Sequence, residues 1–251
     1  MPTFRFGGRV LPLHGELTLP IASFHWEDNS GLTSDTTVSI IKSEIEILSE
    51  TSRGEMVIDQ KQIFIRAHDS ARAMVDSYSF VTGNGLTVFL SKVILADGKE
   101  LLIDSNVPEL ARLVTAFDLD PSRFPELLTM VLSDSTLLMA MHDLISSITL
   151  PHSAVVNCFR AVEGIRRLIA PGMSNKKQGW LVMRQALNID ESCMKFLTSQ
   201  SEGPRHADRT GMTHTGYQET IERSWVVMNR FLEFRKRGNQ QLPLTEFPLL
   251  T

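Results

Sequence analysis

Two hydrophobic rhythms divide the chain. Through the first hundred-odd residues the apolar positions alternate or fall in short runs, with Gly, Pro, Asn and Ser punctuating them at Pro20, Asn29 to Gly31 and Arg53-Gly54. Half-buried strands and their turns read this way. The pattern predicts strands over Leu17–Ala22, Thr36–Lys42, Glu44–Leu48 and Gln62–Arg66. From Ala67 to Phe80 the period lengthens, placing Ala67, Ala71, Met74, Val75 and Tyr78 on one side of a helix that Gly83-Asn84-Gly85 ends. A hairpin follows, with Leu86–Leu95 and Lys99–Ile103 flanking Asp97-Gly98, a dipeptide that tolerates the positive φ of a tight turn.

After Pro108 the helical period takes over. Short helices are expected over Glu109–Phe117 and Ser122–Leu132, then a longer one over Ser133–Ile148 opened by an Asp or Ser cap. The pattern beginning near Pro151 sets Val155, Phe159, Val162 and Ile169 on one face and Arg160, Glu163 and Arg167 outward, until Pro171-Gly172 stops it. Glu163 and Arg167 have the i,i+4 spacing of a helical ion pair. Lys176–Leu187 and Asp190–Ser201 read as shorter helices, and Tyr217–Arg237 as the last. In that last helix Ile221, Trp225, Met228 and Leu232 form one stripe with Val227, Phe231 and Phe234 beside it, wide enough for the core or for a dimer interface. The tail from Gln240, with two prolines, is expected to run extended over the body. The fold class is therefore α+β: a β-rich N-terminal unit over 1–105, an all-helical bundle over 106–238 and an extended tail over 239–251.

Composition adds less than charge does. At 251 residues, 42% of them apolar and 22% charged, the chain has the make-up of an ordinary globular protein with a proper core. No run of eighteen apolar residues is present and the first residues lack the apolar stretch of a secretory signal, so a cytoplasmic protein without a membrane span is expected. Cys158 and Cys193 sit among apolar neighbours, as reduced buried thiols do. The formal charge of −4 hides an asymmetry: residues 160–238 hold fourteen Lys and Arg against eight Asp and Glu, a net of +6, leaving −10 for the remainder. A basic helical region attracts phosphate or nucleic acid, whereas a solvated helical surface is the plainer alternative.

The densest titratable chemistry lies in Gly203-Pro-Arg-His-Ala-Asp-Arg-Thr-Gly-Met-Thr-His-Thr-Gly216, a polar insert between two helical patterns. It contains two of the seven histidines. Arg209 and His214 stand just ahead of the last helix. A guanidinium forks onto phosphate oxygens, and an imidazole exchanges a proton near neutral pH. Together they suit cleavage of RNA in which the ribose 2′-hydroxyl attacks the adjacent phosphate, His214 acting as general base or acid and Arg209 stabilising the charge on phosphorus, with no metal or other cofactor needed. The helix N-terminus behind them favours an anion. Arg205 and His206 form a competing pair in the same insert, and a solvated loop whose arginine and histidine merely cap locally remains the bland alternative. No phosphate-binding glycine fingerprint, Gly-x-Ser-x-Gly elbow or Cys-x-x-Cys is present, and His142-Asp143 lacks a second ligand pair, so no metal site is expected.

A helical bundle in which an arginine is followed by a histidine at the start of a late helix resembles the HEPN superfamily, many of whose members are RNases of toxin and anti-phage systems. The resemblance covers residues from about 134 to 238, including the Cys158-Phe-Arg-Ala-Val-Glu-Gly164 run, which looks like an early long helix of such bundles. It implies homodimerisation and a composite cleft where Arg209 and His214 of both copies converge on RNA, with an antitoxin or other regulatory protein as a further partner. The chain departs from the usual pattern at Thr210, where an amide or carboxylate is common, and at Gly211 inside the motif. Some members of the superfamily only bind nucleic acid or proteins, and a non-catalytic binding or dimerisation module is the alternative function.

Overall fold

A computed structural model describes residues 1–12, 16–28, 30–54, 56–103, 107–117, 121–150, 153–205 and 214–251, with the side chains of residues 57, 58, 121, 214 and 215 outside the description. The chain divides into two compact units, Met1–Asp104 and Ser105–Thr251.

The first unit is one antiparallel sheet with a helix on it. Strands β1 (Thr3–Leu11), β2 (Leu19–Glu27), β3 (Thr33–Ile41), β4 (Glu44–Thr51), β5 (Thr87–Ile94) and β6 (Glu100–Leu102) lie in the order β2-β3-β4-β1-β5-β6. Helix α1 (Val57–Thr82) joins β4 to β5 and packs on one face. Alternation explains which face: Phe4, Phe6, Val10, Val38, Ile40, Ile45 and Ile47 point to a core that α1 closes with Ile63, Ala67, Ala71 and Val75, spaced four residues apart. The other face carries the polar half of the alternation, with His25 bonded to Asp35 at 2.8 Å across β2 and β3. Strands β3 and β4 are joined through Lys42 and Ser43, both with positive φ, as a tight hairpin of right-handed twist requires. Where β1 meets β5 the ladder shifts register at Gly7/Gly8, and a Cβ on Gly8 would lie 2.2 Å from the Phe89 carbonyl oxygen. Only glycine permits that approach.

The structure corrects the sequence reading in this unit twice. Gln62–Arg66 is not a strand but the second and third turns of α1, because Ile63 continues the four-residue spacing of Ala67 and Ala71; its β-branched neighbours had suggested otherwise. Strand β1 was not foreseen, although Phe4, Phe6 and Val10 alternate with Arg5 and Arg9.

The second unit is helical. Short α2 (Pro108–Arg112) and a 3-10 turn precede α3 (Phe124–Leu132), α4 (Ser135–Thr149), α5 (Ala154–Ile169), α6 (Lys176–Leu187), α7 (Glu191–Arg205) and α8 (His214–Lys236). Helix α5 is the axis of the bundle, packing against α4, α6, α7 and α8. It can do so because Ala154, Val155, Cys158, Ala161, Val162 and Ile165 bury most of its circumference. Asp134 caps α4 by accepting from the Thr136 and Leu137 amides, and Asn175 caps α6 in the same way. Ile221, Val227, Met228, Phe231, Leu232 and Phe234 of α8 are all buried, so its wide apolar stripe is used up by the core of its own unit. The tail runs without a helix: Leu250 bridges Ile189, and Leu242 is buried. No single helix among the described residues is long and apolar enough to cross a membrane.

Candidate functional site

Two helix ends bracket the polar insert. Helix α7 continues through Pro204 to Arg205, farther than the sequence pattern predicts, so the insert is shorter than its composition suggests. Helix α8 begins at His214, three residues earlier than expected. Arg209 and His206 lie outside the described residues, as does the His214 side chain. Of the four residues singled out from sequence, the structure therefore places the backbone of His214 and the whole of Arg205.

Arg205 is engaged with its own bundle. Its Nε donates to the Ser201 carbonyl at 3.2 Å, and its guanidinium lies over the Phe159 ring of α5, 4.3 Å from the centroid. A cation over an aromatic face is held by the ring quadrupole. The alternative pair is thus divided between a side chain fixed on α5 and a histidine outside the described residues.

The first turns of α8 are fastened to the bundle. Tyr217 Oη donates to the Ser147 carbonyl near the end of α4 at 3.3 Å, while inside α8 Thr220 Oγ1 donates to the Gly216 carbonyl one turn back at 2.6 Å. Burial pushes the Tyr217 phenol well above its ordinary range, so it acts here as a donor and not as a base. Behind it, burial pushes the Cys158 thiol up to about 11, against the opposing pull of the Ser147 and Ser224 hydroxyls. One turn on, Arg223 is bonded to Glu219 and lies over Phe196, 4.5 Å from its centroid, which ties α8 to α7. Tyr217 and Arg223 thus tie the N-terminal part of α8 to α4 and α7.

Sequence reasoning missed two polar pairs that organise the bundle. Asn229 accepts from the backbone amides of Thr115 and Ala116 at 2.9 and 3.0 Å, and Arg230 donates into the carbonyls at the end of α6. The available signal was their position as adjacent polar residues inside the apolar stripe of α8. On the α5 surface, Glu163 faces Arg167 at 3.8 Å as its spacing predicts. Asp143 is 7% exposed and meets Arg160 at 3.3 Å; burial raises its carboxyl above the usual range, partly offset by that arginine.

The chain matches the family models for both parts of one domain family, the N-terminal domain of a domain of unknown function (DUF8168) over residues 4–103 and its C-terminal domain over residues 124–236. No curated protein and no solved structure matches.

Proposed function

We propose that the helical unit is a metal-independent endoribonuclease of HEPN type that works as a homodimer. The observation that carries this reading is that the described part of α8 opens at His214 and is tied to α4 through Tyr217, with Arg209 five residues earlier in the sequence. In the proposed reaction His214 takes the proton of a ribose 2′-hydroxyl, whose oxygen forms a bond to the adjacent phosphorus. The bond from phosphorus to the 5′ oxygen breaks, and the leaving oxygen is protonated by the partner's His214. Arg209 holds the equatorial phosphate oxygens as negative charge grows on them. The products are a 2′,3′-cyclic phosphate and a 5′-hydroxyl.

Self-association is supported by an apolar surface on α3 and α4. Phe124, Leu128 and Leu132 recur every four residues on α3 and are exposed, as are Leu138, Met139 and Ile145 on α4. Exposed apolar residues repeating along one helix suit an interaction surface.

The test is cleavage of single-stranded RNA in EDTA, with the ends identified by mass. Arg209→Ala and His214→Ala should each lower the rate by about 10²-fold or more while the protein stays folded. If His206→Ala has that effect and His214→Ala does not, the other pair is the reacting one. A folded protein that self-associates and leaves RNA intact would instead support a binding or dimerisation module.

A further inference from the structure

Charge is unevenly matched along the outer face of α5. Glu163 Oε1 lies 3.8 Å from Arg166, 3.8 Å from Arg167 and 3.9 Å from Lys176, so one carboxylate serves three cations. Just under one turn of helix earlier, at Arg160, the pairing is with the single buried carboxylate of Asp143. The side chains of Arg160, Arg167 and Lys176 remain 56, 66 and 75% exposed. The exposed pairs of Glu163 with Arg167 and Lys176 contribute at most a few tenths of a kcal/mol each, which leaves those two cations available to a better anion, and Arg160 stays half-exposed beside its buried partner.

These groups flank a groove of about 200 Å³ between α4 and α5, lined among others by Thr136, Asp143, Arg160, Glu163 and Arg167. Its floor is the close crossing of the two helices, where a Cβ on Gly164 would meet the Ala140 Cβ at 3.1 Å. Arg160 and Arg167 are seven residues apart on one face, about 10 Å along the axis. None of the groove's lining residues is aromatic, so it offers charge and a hydroxyl but no surface on which a base would stack.

Direction matters as well. Arg160 lies across from Asp143, and Gly164 across from Ala140 and Thr136, so α4 and α5 run antiparallel and the groove points past Arg160 toward the end of α4. That end carries Ser147, whose carbonyl receives Tyr217 in the first turn of α8. A strand lying in the groove is therefore led toward the helix start that holds His214.

We propose that the α4–α5 groove seats the phosphate backbone of single-stranded RNA, with Arg160, Arg167 and Lys176 as its contacts. The ligand class follows from charge complementarity: guanidinium forks match phosphodiester oxygens, and the missing aromatic platform makes the contact independent of base sequence. The inference rests on the RNA reading of the helical unit and adds to it the path by which substrate approaches.

The experiment is fluorescence anisotropy of a labelled uridine oligomer in EDTA at a series of salt concentrations, in the His214→Ala background so that the probe stays whole. Arg160→Gln with Arg167→Gln should weaken binding about tenfold at moderate salt. Losing two phosphate contacts should flatten the log–log salt slope by about 1.4. Arg167→Gln with Lys176→Gln should do the same while leaving the Arg160–Asp143 pair in place, which separates lost contacts from a disturbed fold. Arg9→Gln with Lys92→Gln, the same change of net charge in the first unit, should leave the slope unaltered. Wild-type affinity and slope in both groove variants would overturn the proposal, and RNA cleavage by the unsubstituted protein would then still stand. Absence of any RNA binding by the background protein would overturn both.

Discussion

The guanidinium of Arg230 and the backbone of Asn188 lock the end of α6 to the C-terminal tail. Arg230 Nη1 donates to the Asn188 and Leu187 carbonyls at 2.6 and 2.9 Å, and Nη2 to the Pro248 carbonyl at 2.7 Å. Asn188 itself has φ 53° and sends its amide to the carbonyls of Leu242 and Phe247, both at 2.9 Å. One buried side chain thus satisfies the orphan carbonyls of a helix end, and a second satisfies the strap that crosses it.

Loss of this lock should be costly. Arg230→Ala leaves the Leu187 and Pro248 carbonyls without their side-chain donor, while the Asn188 carbonyl keeps the Leu250 amide, and is expected to destabilise the second unit by about 3 kcal/mol. Asn188→Gly keeps the left-handed backbone but loses both amide bonds, for an expected cost of about 1–2 kcal/mol. Thermal unfolding followed by circular dichroism orders the variants: wild type, then Asn188→Gly, then Arg230→Ala. An unchanged midpoint in Arg230→Ala would show that water replaces the guanidinium without penalty.

The lock also shows where sequence stops informing. The periodicity of α8 was legible because its stripe obeys the helix repeat, and the strap was legible from its prolines and lack of period. Asn229 and Arg230 were not, because a polar residue inside an apolar stripe reveals burial only when its distant partners are known. Those partners, at Thr115 and Asn188, are more than forty residues away. In the first unit, Gln62–Arg66 failed for the opposite reason: a short β-branched stretch fits either period until its neighbours are counted. Of the candidate site, the sequence offered the chemistry of Arg209 and His214, whose side chains lie outside the described residues; the extension of α7 to Arg205 ran against the local signal of Gly203-Pro204, since the cation over Phe159 stabilises a turn that glycine and proline disfavour.

His68 gives the first unit a pH dependence. Burial beside Phe64 lowers its pKa from 6.5, while contact with the Val88 backbone and the charge of Asp69 oppose the shift without cancelling it. A depressed histidine stabilises the fold fully above the unfolded value, and that contribution is lost as pH falls, because the unfolded chain binds a proton the folded one refuses. Stability of the first unit should therefore decline below pH 6.5, at up to about 1.4 kcal/mol per pH unit. Hydrogen exchange of the β1 and β5 amides reads this directly. In His68→Gln that part of the slope should vanish, and an identical slope in both proteins would assign it to other groups.

The two thiols should be silent in the folded protein. Cys158 is raised to about 11, and Cys193 is raised as well, in both cases by burial. Nucleophilic attack needs the thiolate, of which Cys158 has about a thousandth at pH 8. A thiol-directed chromogenic reagent should modify neither residue until denaturant is added and then titrate both. Rapid labelling of the native chain would contradict the burial on which these shifts rest.

The apolar strip on α3 and α4 yields the prediction that bears most on function. Leu128 and Leu132 stand one turn apart on α3 and are exposed, while Val131, between them, is buried against the core. Replacing Leu128 and Leu132 with glutamate therefore places charge on the strip without touching the interior. If a second copy covers that strip, desolvating two carboxylates there costs several kcal/mol and shifts the dimer to monomer. Sedimentation equilibrium should show the shift, with the circular dichroism spectrum unchanged. The proposed composite cleft would add a kinetic signature: a site completed by the partner's His214 would lose activity on dilution, and the double variant would lose it at every concentration. A variant that is monomeric yet cleaves at the wild-type rate would place a complete site within one copy. A wild-type protein that stays monomeric at its highest soluble concentration would remove the strip as a dimer surface.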